Sequence, residues 1–85
     1  SSLMLAGNEG RTEIARLLIE NGANINWQSK SGSTALMESA LEGRTDTVKM
    51  LIDANADLLL LDLLDRTALI IAEQQGHLDI AALLK

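Results

Sequence analysis

The sequence predicts an all-α fold, a solenoid of stacked helical repeats that carry short hairpin-like fingers. Three features point there. A 33-residue period runs through the chain, and the second half of each period spaces its apolar residues at i, i+3 and i+4. The apolar fraction of 47% also includes a single aromatic residue, Trp27, so the core must be built from Leu, Ile, Met and Ala. Aliphatic residues at that spacing form one buried stripe on a helix. A repeat this short cannot cover its own stripe, so neighbouring repeats have to stack.

The period is anchored by Gly10, Gly43 and Gly76, which sit 33 residues apart and precede Arg11, Arg44 and His77. The same spacing aligns Leu18, Leu51 and Leu84, with Leu17, Met50 and Leu83 beside them, and also Leu3, Leu36 and Leu69. Thr34-Ala35-Leu36 matches Thr67-Ala68-Leu69. The two threonines are N-cap residues, whose hydroxyl accepts a bond from an otherwise unpaired helical N–H. Ser39, Ala40 and Ala72 are small enough to let the first helices of neighbouring units approach closely. Gly43 and Gly76 then end those helices in the left-handed backbone. A second helix follows in each unit, with stripes at Ile14, Leu17, Leu18, at Val48, Leu51, Ile52, and at Ile80, Leu83, Leu84. Gly22 and Asn55 stop it, Asn being the next residue after Gly to tolerate that geometry. The polar stretch from Asn24 to Gly32 alternates briefly and holds a Ser-Gly turn signal, which reads as a hairpin-like finger.

Finger, helix, turn, helix at this period resembles the ankyrin repeat. The family opens its first helix with Thr-Pro-Leu-His, precedes the second with Gly-His and closes on Gly-Ala-Asp. Here these elements stand as Thr34-Ala35-Leu36-Met37 and Thr67-Ala68-Leu69-Ile70, as Gly10-Arg11, Gly43-Arg44 and Gly76-His77, and as Gly22-Ala23-Asn24 and Asn55-Ala56-Asp57. Proline is missing, and Met4, Met37 and Ile70 replace the family histidine, so apolar packing has to stand in for its hydrogen bonds. The expected organisation is one domain, 1–85, with a partial repeat 1–28, a repeat 29–61 and a partial repeat 62–85. A start at Ser-Ser without Met fits a fragment or an engineered variant, and the last helix is expected to expose Ile80, Leu83 and Leu84.

Composition narrows the function. The net charge is −5 and the seven Lys and Arg residues are scattered, which gives no clustered positive surface for nucleic acid. The longest leucine run, Leu58 to Leu61, falls far short of the roughly 20 residues that span a bilayer, so no membrane partner is expected. Cysteine is absent, which removes disulfides and thiolate metal sites and favours an intracellular setting, cytoplasmic or nuclear. His77 is the sole histidine and follows a turn glycine, glycines occur singly, and the carboxylates are spread. These features predict no catalytic residue, no cofactor and no metal. Glu38 and Glu42 share one helix face and are the nearest approach to an acid pair.

The resemblance implies a protein partner held by the finger tips and the inward face of the first helices. Carried over by position, that surface comprises Asn8, Glu9, Gln28, Lys30, Ser31, Ser33, Leu41, Glu42, Leu61, Leu63, Leu64, Arg66, Gln74 and Gln75. The second finger reads Leu58-Leu59-Leu60-Leu61-Asp62-Leu63-Leu64-Asp65, where the first is polar. Leu58 matches Ile25 and is assigned to the core. Leu59, Leu61, Leu63 and Leu64 either form an apolar contact patch, fold back over neighbouring loops, or make the finger helical, since Ala54 to Gln75 lacks Gly and Pro. Asp62 and Asp65 offer turn chemistry against the helical option. Trp27 is either a contact anchor or a lid over the loop base. Glu9 and Glu42 occupy equivalent positions and tilt the inner face toward a basic or apolar partner. The alternative function is self-association of copies through the leucine finger and the raw ends.

Overall fold

The computed structural model describes residues 16, 17, 19–22 and 24–85. Helical residues Arg16, Leu17, Ile19 and Glu20 lead into four helices, α1 (Ala35–Glu42), α2 (Thr45–Asp53), α3 (Ala68–Gln74) and α4 (Leu78–Leu84). No strand occurs among the described residues. The all-α expectation therefore holds, and the local signals act where the sequence places them. Thr34 Oγ1 accepts from the Met37 amide at 3.2 Å, and Thr67 Oγ1 accepts from the Ile70 amide at 3.3 Å. Past the helix ends, the Arg44 amide donates to Ser39 O and the His77 amide to Ala72 O, both at 2.9 Å. One bond is the other displaced by a full period. Gly22 and Asn55 both take positive φ after the second-helix segments, as their roles require.

α1 packs on α2 and α3, and α4 packs on α3 and α2, giving one layer of first helices and one of second helices. The core joins Leu36, Met37, Val48, Leu51, Ile71 and Ile80, and alanines 35, 40, 68 and 72 fill the close contacts. Met37, which stands where the family keeps a histidine, is fully packed into that core. Ser39 is buried at the place where the next unit has Ala72, and its hydroxyl donates to Ala35 O at 2.8 Å, so it introduces no unpaired polar group. The expectation for the last helix needs correction. Ile80 and Leu84 face α2 and α3 and are buried, and only Leu83 stands out, at 37% exposure. Ile14 and Leu18 of the first stripe lie outside the described residues, as do Ala23 and the glycine at position 10.

The fingers are turns with hairpin-like closure and no ladder. In the first, the Ser29 amide donates to Ser33 O and the Gly32 amide to Ser29 O, both at 2.9 Å. In the second, the Asp62 amide donates to Arg66 O and the Asp65 amide to Asp62 O, both at 3.0 Å. Their bases repeat as well, with the Asn24 carbonyl oxygen of the side chain accepting from the Asn26 amide and the Asp57 carboxylate from the Leu59 amide. The helical option for the second finger is thereby overturned. Asp62 Oδ1 takes the Leu64 and Arg66 amides at 2.9 Å each, which offers the backbone an alternative to helix, and Asp65 adopts φ 59 where Gly32 has φ 80. Leu58 packs beside Ile25 against the core as assigned, and Leu60 joins it.

Candidate functional site

The two fingers lie side by side and are fastened by bonds that reach from one repeat to the next. The Gln28 amide group donates to Gly32 O within its own finger and to Leu61 O across to the second, each at 2.9 Å. Asn26 Oδ1 accepts from the Asp57 amide at 2.8 Å, and Ser31 O accepts from the Leu63 amide at 2.9 Å. Gln28, expected to meet a partner, thus has a holding role within the stack. Replacing it with Ala should lower stability by about 1 kcal/mol, the worth of a partly exposed amide bond, measured as a shift in urea midpoint.

At the outer end of the second finger, Arg66 fixes the turn to the helices. Its Nε and one terminal nitrogen each lie 2.9 Å from Asp62 Oδ2, and the other donates to Gln74 Oε1 at 3.2 Å. Burial pushes the Asp62 carboxyl up, but the Arg66 amide, the Arg66 guanidinium and the Leu64 amide together outweigh it and hold the group below its ordinary value of 3.8. On the first finger the corresponding positions are occupied differently. Ser33, one period before Arg66, donates its hydroxyl to Glu38 Oε1 at 2.9 Å.

Between the second finger and the first helices opens a cleft of about 300 Å3, walled by Ser31, Ser33, Asp62, Leu63, Leu64 and Arg66 on the finger side and by Met37, Glu38, Leu41 and Ile71 on the helix side. Of the expected surface, this cleft brings together Ser31, Ser33, Leu41, Leu63, Leu64 and Arg66, with Gln74 attached through Arg66. Lys30, Glu42 and Gln75 are exposed outside its wall, Gln28 serves the finger contact, and Asn8 and Glu9 lie outside the described residues. The expected surface does not include Met37, Glu38, Asp62 or Ile71, which also line the cleft. The signals were present, because Leu41 follows Glu38 by three residues on one helix face, and Asp62 follows Ser29 by one period.

The leucines do not fold back. Leu59, Leu61, Leu63 and Leu64 are 81%, 49%, 74% and 71% exposed, and only Leu63 and Leu64 border the cleft. Each stands one period after a polar residue of the first finger, respectively Asn26, Gln28, Lys30 and Ser31. Trp27 is 41% exposed, so it does not serve as a closed lid over the loop. A second pocket of about 350 Å3 lies on the far side, between Arg16, Ile19, Glu20, Met50, Asp53 and Ala54.

His77 has a structural position. Its Nε2 donates to Leu41 O at 3.2 Å, and its ring lies against Gly43, where an added Cβ would come within 2.9 Å of it. Among the described residues, no three His, Cys, Asp or Glu side chains gather as a metal set, and no helix is long and apolar enough to cross a membrane.

No curated protein matches the chain. A family model described as ankyrin repeats, in three copies, matches residues 3–85. With nearly the whole sequence covered, and with paired helices joined by aligned fingers at a constant period, the chain belongs to the ankyrin repeat family, whose members are generally protein–protein interaction modules.

Proposed function

We propose that the chain holds a partner protein in the cleft between its second finger and helices α1 and α3, and that it carries out no reaction of its own. The observation that carries this reading is the pair Leu63 and Leu64, large, solvent-facing and set on the rim of a cleft whose deeper wall is Met37, Leu41 and Ile71. Exposed apolar side chains over an apolar recess gain free energy when a partner covers them. Of the expected surface outside the cleft wall, Lys30, Glu42 and Gln75 then form a polar margin around that contact. His77 supports the non-catalytic part, because its ring is engaged in joining two repeats.

The double replacement Leu63→Ser with Leu64→Ser should abolish capture of the partner from cell extract while changing stability by less than about 0.5 kcal/mol, since both side chains are solvated in the free chain. Retained capture by a folded double variant would reject the cleft. A second reading, association of copies, is favoured by Leu59 and Leu61, which are exposed outside the cleft wall. Light scattering over a concentration series separates the two: a constant monomer mass supports the partner reading, and a mass that doubles supports pairing of copies.

A further inference from the structure

We propose that the cleft selects a partner segment in which a Lys or Arg neighbours an apolar side chain, and that Glu38 is the residue that reads the positive charge. This rests on the cleft reading above. Two charged groups of opposite sign, Arg66 and Glu38, meet at the cleft, and only Arg66 is balanced. Arg66 spends its three nitrogens on Asp62 and Gln74, with the Asp62 carboxylate 2.9 Å away, so its charge is cancelled in place. Glu38 is half-buried in the same cleft, accepts a hydrogen bond from the Ser33 hydroxyl at 2.9 Å, and has no ion pair among the described residues. A neutral hydroxyl orients a carboxylate without neutralising it. The cleft therefore presents one uncompensated negative charge beside apolar walls, and a partly desolvated charge acts more strongly than one in bulk water.

Its size sets the scale of the guest. About 300 Å3 lies at the lower end of small-ligand sites, enough for the side chains of a short extended segment. A guest cation reaching Glu38 would place its apolar neighbour between Leu41 on the helix and Leu63 and Leu64 on the finger. An acidic segment would meet Glu38 without compensation. Glu42, one turn farther along the same helix face, extends the same bias.

The test pans a random twelve-residue peptide display library against the chain, the Glu38→Gln variant and the Leu63→Ser, Leu64→Ser double variant, and then titrates the enriched peptides by fluorescence anisotropy. Wild type should enrich peptides with Lys or Arg next to Leu, Ile or Phe. Changing that cation to Gln should weaken binding about fivefold to tenfold, and Glu38→Gln should remove this difference while the cation-free peptide still binds. Gln keeps the Ser33 bond, and an unchanged melting curve confirms that the fold is intact. Peptides without a cation, or a cation preference that survives Glu38→Gln, overturn the charge assignment and leave the cleft standing if the leucine variant abolishes binding. No enrichment, or enrichment indifferent to the leucine variant, overturns both.

Discussion

Gly32→Ala should destabilise the chain by about 3–4 kcal/mol, roughly two to three times the loss from Gly76→Ala, although both glycines have nearly the same backbone conformation. Gly32 sits at φ 80 and Gly76 at φ 75. Left-handed backbone alone costs an L-residue about 1–2 kcal/mol, and that much is common to both positions. The surroundings differ. A Cβ at position 76 meets nothing within 4 Å, whereas at position 32 it lies 2.9 Å from Asp62 Cα and 3.0 Å from the Leu63 nitrogen. Those atoms are backbone of the neighbouring finger and cannot swing aside as a side chain would. To admit a methyl group the fingers must part, which loosens the Leu63–Ser31 bond and the reach of Gln28 to Leu61 O, each worth about 1 kcal/mol. Urea unfolding of both variants measures the contrast. With a slope of about 1 kcal/mol per molar, the Gly32 variant should unfold at about 2 M less urea than the Gly76 variant. Equal midpoints would mean that the fingers do not lean on one another as described.

That contact shows where sequence reasoning reaches its end. Gly32 was legible as a turn glycine, since Ser-Gly marks a turn, but its contact with Asp62 is a property of two units placed side by side. The repeat itself was readable because every local signal agrees with it. The Thr34 and Thr67 caps, the Gly43 stop and the spacing of Val48, Leu51 and Ile52 each fix one piece of backbone, and the 33-residue period repeats them. Stacking then buries Ala40 and Ala72 with no further information. The cleft was half legible. Ser31, Ser33, Leu41, Leu63, Leu64 and Arg66 were found by position in the family pattern. Glu38 and Ile71 occupy one column of the repeat yet differ in chemistry, so the column gave no sign of a shared wall. The last helix departs from expectation for the opposite reason: its stripe is wider than one face, and the turn of the helix sends Ile80 and Leu84 inward and leaves Leu83 at the edge. The leucine-rich finger held three conformations open because leucine favours helix while aspartate favours turns. A single carboxylate decided among them.

Asp62→Ala should therefore cost about 2–4 kcal/mol and disorder the second finger first. The side chain is 6% exposed and receives the Leu64 amide, the Arg66 amide and the Arg66 guanidinium, so its removal leaves two buried-edge donors and a cation without their acceptor. Asp62→Asn separates charge from hydrogen bonding. Its side-chain oxygen still serves the two amides, but its NH2 group cannot accept from the Arg66 guanidinium, so it should lose about 1–2 kcal/mol, the share of the charged contact. The pH dependence follows from the sign of the shift. The folded carboxyl titrates below its ordinary value of 3.8, so its contribution is complete above that value and is lost as the pH falls through the lower folded value. The stability gap between the unsubstituted chain and Asp62→Asn should accordingly stay constant near neutrality and narrow in acid, measured by urea unfolding at a series of pH values. A gap that widens in acid, or one absent at neutral pH, would show that Asp62 does not hold Arg66 in its charged form. The same residue controls recognition. While Asp62 cancels Arg66, Glu38 stands alone as the charge of the cleft. Once Asp62 is neutral, the guanidinium is released beside Glu38 and competes with any cation that a partner brings, so Asp62→Asn should also blunt the preference for a basic segment while the leucine contact persists.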